Sequence, residues 1–178
     1  MRNRIGIVMV MPAILVFLPA GPAALPEAGD LRDFAVFISG YESAPTRAEL
    51  VAAAGDGSPA DMLRLVAADR SHARFTRGRA ARLLGLFPQQ GAGDYLAAVM
   101  ADDTEDFYVR IEAAAGFVRA FGKEHPAQTA EALSALLGSR DARLRATAVH
   151  HLRKLESDRA IEILDDHRLV ERNLSVFR

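Results

Sequence analysis

Three stretches of this chain share one pattern, and no other feature limits its folding choices as much. They are TRGRAARLLGLF from Thr76, VRIEAAAGFVRAF from Val109 and LRATAVHHLRKL from Leu144. Each sets an arginine ahead of small or apolar residues three, four and seven positions later. The arginines, Arg77, Arg110 and Arg145, stand 33 and 35 residues apart. Self-similarity at that period points to an array of antiparallel helix pairs, since one pair cannot bury its apolar face alone. On a helical wheel the three later positions fall within about 100° of one another and form one stripe. They are Ala80, Ala81 and Leu84, then Ala113, Ala114 and Phe117, then Ala148, Val149 and Leu152. Small residues early in the stripe let helices approach closely, and the larger ones fill what space remains.

Composition agrees with helices. Half of the 178 residues are hydrophobic but only 7% are aromatic, and there is no Trp. That balance, rich in Ala and Leu, favours close-packed helices over a β-sandwich. No segment alternates in polarity with Val, Ile and Thr, so no sheet is expected. A short helix is predicted over Leu31–Ser39, and a second after Thr46, whose capping box is completed by Glu49 and which Gly55 ends. Ser58 and Pro59 start a third helix, to about Ala68. Further helices are expected over Arg74–Phe87, Asp94–Ala101, Asp106–Phe121, Pro126–Leu137, Asp141–Leu155 and Asp158–Asp166, with a last one in the tail from His167. Gly91-Ala92-Gly93 reads as a turn.

The N-terminus has the layout of a secretory signal peptide. Arg2 and Arg4 precede an uncharged apolar run from Ile5 to Leu18, followed by Pro19, Gly21, Pro22 and Ala23. Cleavage is expected after residue 23, with 24 or 28 as alternatives. The run, broken by Pro12, falls short of the ~20 residues that span a bilayer. The organisation is then a signal at 1–23, an N-terminal segment with a short helix or cap at 24–45, and helical repeats at 46–178. Losing Arg2 and Arg4 leaves 20 basic residues against 23 acidic ones, from a formal net charge of −1 for the whole chain. Neither value suggests nucleic acid, which needs a basic face. The chain has no Cys, which excludes a disulfide framework, a lipidated cysteine anchor and thiol chemistry. A periplasmic or secreted protein, free of the membrane after cleavage, is the expectation.

The repeated arginines lie beside the apolar stripe and need partners, because an unpaired buried charge costs several kcal/mol. Asp106 stands four residues before Arg110, and Asp141 four before Arg145; both fall in the first turn of a helix. An Asp–Arg ladder of Asp106, Arg110, Asp141 and Arg145 is therefore expected. Ala73 holds the corresponding place before Arg77, which leaves Asp69 or a neighbouring repeat to serve that arginine.

The pattern Asp-x-x-Val/Leu-Arg-x-x-Ala, present as DFYVRIEA and DARLRATA, resembles the HEAT-like repeats also found in phycobilisome lyase subunits. The likeness covers about Asp61 to Asp166. It implies an armadillo-type, right-handed α-α superhelix of about four helical hairpins, a HEAT-like solenoid. The second helices of the hairpins would line its concave face, with the Asp and Arg ladder along its turns.

Sites of chemistry are scarce. Neighbouring helical residues diverge by about 100°, so His150-His151 is poorly placed to share a metal, and HExxH spacing is absent. Asp165-Asp166-His167 becomes a ligand set only if the fold brings it near that pair. The carboxylates Asp102, Asp103, Glu105 and Asp106 read as a solvated turn with a helix cap. GDGSP and GAGD follow no strand and match no phosphate loop, and no GxSxG surrounds a serine. No catalytic residue, metal or cofactor is expected, and the chain reads as no enzyme.

What remains is a surface. Two, five and nine positions after each arginine stand Arg79, Arg82 and Leu86, then Glu112, Ala115 and Arg119, then Thr147, His150 and Lys154. Stacked units would set these side by side as a mildly basic ridge with Leu86 at one end. Arg79, Arg82, Arg119, His150 and Lys154 are the candidate binding residues, meeting an acidic protein partner. The expected role is a non-catalytic scaffold or adaptor in a bacterial cell envelope. The alternatives are an accessory subunit or lyase-like enzyme working on a bound cofactor, and a carrier of a small apolar ligand.

Overall fold

A computed structural model describes residues 28–40, 43–88, 90–171 and 176, and among them every regular element is an α-helix. In chain order these are α1 (Ala28–Ile38), α2 (Arg47–Ala54), α3 (Pro59–Ala68), α4 (Arg74–Leu84), α5 (Gln90–Ala101), α6 (Phe107–Phe121), α7 (Pro126–Leu137), α8 (Ala142–Leu152) and α9 (Asp158–Val170). The predicted signal peptide and its cleavage sites after 23 and 24 lie outside the described residues. No helix among those described is long and apolar enough to cross a membrane.

Local chemistry sets many of the boundaries. The Thr46 side chain accepts from the Glu49 backbone N–H at 3.3 Å, while the Glu49 carboxylate accepts from the Thr46 N–H at 2.7 Å. Ser58 caps α3 with Pro59 in its first turn, and Asp106 and Asp141 cap α6 and α8. The helices α4 and α8 end three residues before the expected points. In both, the chain tightens to i→i+3 bonds: Phe87 N–H to Leu84 O at 3.0 Å, and Leu155 N–H to Leu152 O at 3.1 Å. The expected turn at Gly91-Ala92-Gly93 is helical. A Cβ on Gly93 would stand 3.0 Å from the Phe121 ring, so the glycine lets α5 begin against α6, and packing overrides its poor helix propensity. The separate tail helix expected from His167 is absent up to Glu171, because α9 itself carries His167 and ends at Val170.

Packing follows the stripe. Successive helices pair as α3 with α4, α5 with α6 and α7 with α8. The second members pack in the order α4, α6, α8, and the first in the order α3, α5, α7, α9. At the N-terminal side, α1 packs on α2, α3 and α4. Of the nine stripe residues, Phe117 is partly buried and the other eight are buried in the core. Each buried leucine contributes about 1.5–3 kcal/mol relative to an exposed one. The closest approach joins α4 to α6. There Gly85 rests directly on the Gly116 backbone, and a Cβ on Gly116 would lie 2.7 Å from Ala81 O. Leu86 packs against the core, so it does not extend the outer ridge as expected.

The repeated arginines turn inward, as their place beside the stripe requires, but the expected Asp–Arg ladder does not form. Arg110 donates through Nε and Nη2 to Met100 O at 3.0 and 2.8 Å, and Asp106 accepts from the Tyr108 N–H and lies 3.9 Å from Arg74. Arg145 donates from Nε to Glu171 at 2.6 Å and from Nη1 to Ser139 O at 2.9 Å, while Asp141 holds Arg143 instead. The physical reason is a competing demand. A carboxylate at the head of a helix accepts backbone N–H groups there, and the orphan carbonyls at the end of the preceding helix need donors. Arg77 meets both of its needs elsewhere: its Nε donates to Ala67 O at 3.0 Å, and its Nη2 pairs with Glu105 in the turn before α6.

Candidate functional site

On α4, Phe75, Arg79 and Arg82 follow at intervals of four and three residues, and on α6 Tyr108, Glu112, Ala115 and Arg119 do the same. Those intervals put each set on one helix face. Because α4 lies against α6, the two faces meet and line a groove of about 1000 Å³, whose rim includes Ser39 and Ala44. A second groove of about 630 Å³ continues between α6 and α8, lined by Thr147, His150, His151, Arg153 and Lys154. Arg82, Glu112 and Ala115 belong to both grooves.

The structure thus brings all five sequence-derived candidates, Arg79, Arg82, Arg119, His150 and Lys154, to one surface. Their states differ. Arg82 is exposed and reaches Glu112 at 3.2 Å. Arg79 is tethered through Nη2 to Ser43 O, and its buried Nε–H has no acceptor among the described residues. Arg119 and Lys154 are exposed. His150 stands edge-on to His151, with ring centroids 5.4 Å apart. Among the described residues, Arg79, Arg82, Arg119 and Lys154 line the joined grooves together with Arg153, and the carboxylate in that lining is Glu112.

Two titratable groups respond to this setting. Burial, followed by the charges of His150, Lys154 and Arg82, pushes His151 down to about 4, which keeps its imidazole neutral at pH 7. Burial and then the Glu112 carboxylate raise the Tyr108 hydroxyl. Among the described residues no three His, Asp or Glu side chains gather as metal ligands. His167 is buried beside Glu171, at 3.1 Å from a carboxylate oxygen that also accepts from Arg145, and so it serves an ion cluster.

Sequence reasoning missed Phe75 and Tyr108. Phe75 is 55% exposed and packs edge-on against Tyr108 with ring centroids 4.9 Å apart. It precedes the first repeated arginine by two residues, and a register counted only forward from the arginines passes over it. A seven-residue step back from Arg82 would have found it. Compared with known proteins, the chain matches no family model, no curated protein and no solved structure.

Proposed function

We propose that this protein is a non-catalytic HEAT-like repeat protein, a right-handed solenoid of helical hairpins that holds an acidic partner protein along the α4–α6–α8 face. The observation that carries this reading is the charge of the joined grooves, where among the described residues Arg79, Arg82, Arg119 and Lys154 share the lining with one carboxylate, Glu112, on a chain whose formal net charge is −1. A basic strip on an otherwise slightly acidic molecule orients a partner and speeds its encounter. The repeat reading is supported by the paired helices and by Arg77 and Arg110, which each donate to a carbonyl ten residues earlier, at the end of the preceding helix. The signal peptide read from the N-terminus sets the proposed place of action, the bacterial periplasm or the cell exterior.

The test is crosslinking from a photoreactive residue at position 115, between the two grooves, in cells that make the protein. A partner captured there should carry an acidic segment at the crosslink, and the triple variant R82E/R119E/K154E should lose it. Exposed pairs contribute about 0.2–1 kcal/mol each, so three reversals should weaken binding by one to two orders of magnitude. Capture that survives the triple reversal, or a partner without acidic residues at the crosslink, would overturn the assignment of this face.

A further inference from the structure

The groove between α4 and α6 is divided along its length, and that division limits what chemistry fills it. At the N-terminal ends of the two helices stand Phe75 and Tyr108; toward their C-terminal ends stand Arg79, Arg82 and Arg119. A large apolar ring left 55% exposed beside cations, and not in the core, suits contact with another apolar side chain. Phe75 is seven residues before Arg82, about 10 Å along the axis at 1.5 Å per residue. An extended chain covers that distance in about three residues. Midway sits Glu112, which occupies Arg82 from within the molecule.

We infer that the occupant is an extended acidic peptide segment carrying one large apolar side chain, with carboxylates about three residues from it. The apolar side chain rests on the Phe75–Tyr108 pair, and a carboxylate takes the place of Glu112 on Arg82. This deepens the proposed binding of an acidic partner and rests on that reading. Charge alone would accept any anionic chain; the aromatic pair selects among them.

Fluorescence anisotropy with three labelled peptides tests this on the full-length protein. The first has a central phenylalanine flanked on both sides by aspartates and glutamates. The second replaces the phenylalanine with serine, and the third replaces every acid with lysine. The phenylalanine peptide should bind at least tenfold tighter than the serine peptide. Phe75→Ser should erase that difference while the protein keeps its cooperative thermal melt, since the ring is 55% exposed. Glu112→Gln should tighten both acidic peptides severalfold. Equal binding of the two acidic peptides, unmoved by Phe75→Ser, would overturn the apolar subsite and leave the acidic-partner reading standing. Binding of the lysine peptide alone, or of none of the three, would bring down both.

Discussion

A buried arginine is expensive unless its donors are used, and Arg77 shows how this chain meets that cost. Its side chain and that of Glu105 are 8% and 9% exposed, and it also donates to Ala67 O. Removing one partner leaves a buried charge without its counterion, so R77A or E105A should each lose about 3–5 kcal/mol in denaturant unfolding. The paired change R77M/E105L should lose much less, because it removes both charges together. His151 makes a prediction of opposite character. Its folded value near 4 lies below the ordinary imidazole value near 6.5, so the unfolded chain binds the extra proton first. The stability that this depression contributes is therefore full above about pH 6.5 and is lost as pH falls toward 4. H151N should flatten that part of the stability–pH curve by about 2 kcal/mol, read from urea midpoints between pH 7 and 4.5. An unchanged slope would mean that the imidazole is not held neutral by burial.

At the level of helices, the α4–α6 contact is the most demanding in the molecule. Gly116 meets the Ala81 carbonyl across it, and a backbone oxygen has little freedom to retreat. G116A should therefore cost about 1–3 kcal/mol by overpacking, even though alanine is the better helix former by about 1 kcal/mol. A melt that rises on this substitution would show that α4 and α6 are further apart than described. The same contact explains what was legible in the sequence. The stripe of Ala80, Ala81, Ala113 and Ala114 announced close packing, because period and side-chain size are local properties. The role of Gly85 and Gly116 was not, since nothing in either segment says which glycine faces which. The Asp106 and Asp141 assignments failed for a related reason: four-residue spacing puts an acid within reach of an arginine but does not rank that arginine against backbone N–H groups and a neighbouring Arg143. That Arg79, Arg82, Arg119, His150 and Lys154 line adjoining grooves was legible through helical periodicity, except at Leu86, where the helix ends at Leu84 and the chain leaves the register.

For the whole molecule, the distribution of charge yields the broadest prediction. Binding driven by the joined grooves should weaken as salt rises from 50 to 500 mM, because the screening length shrinks from about 14 Å to about 4 Å over that range. If the aromatic pair also takes part, a residual affinity independent of salt should survive for the phenylalanine peptide. Glu171 has a longer reach than its position just after α9 suggests. The acid that Arg77 uses lies 28 residues further along the chain, and the one that Arg145 uses lies 26 residues further. A chain that leaves the ribosome or a membrane pore N-terminus first therefore cannot complete either hairpin from its own residues. The α3–α4 and α7–α8 pairs each wait for that acid, whereas Arg110 meets Met100 O inside its own pair. At those two points, growth of the fold is set behind growth of the chain.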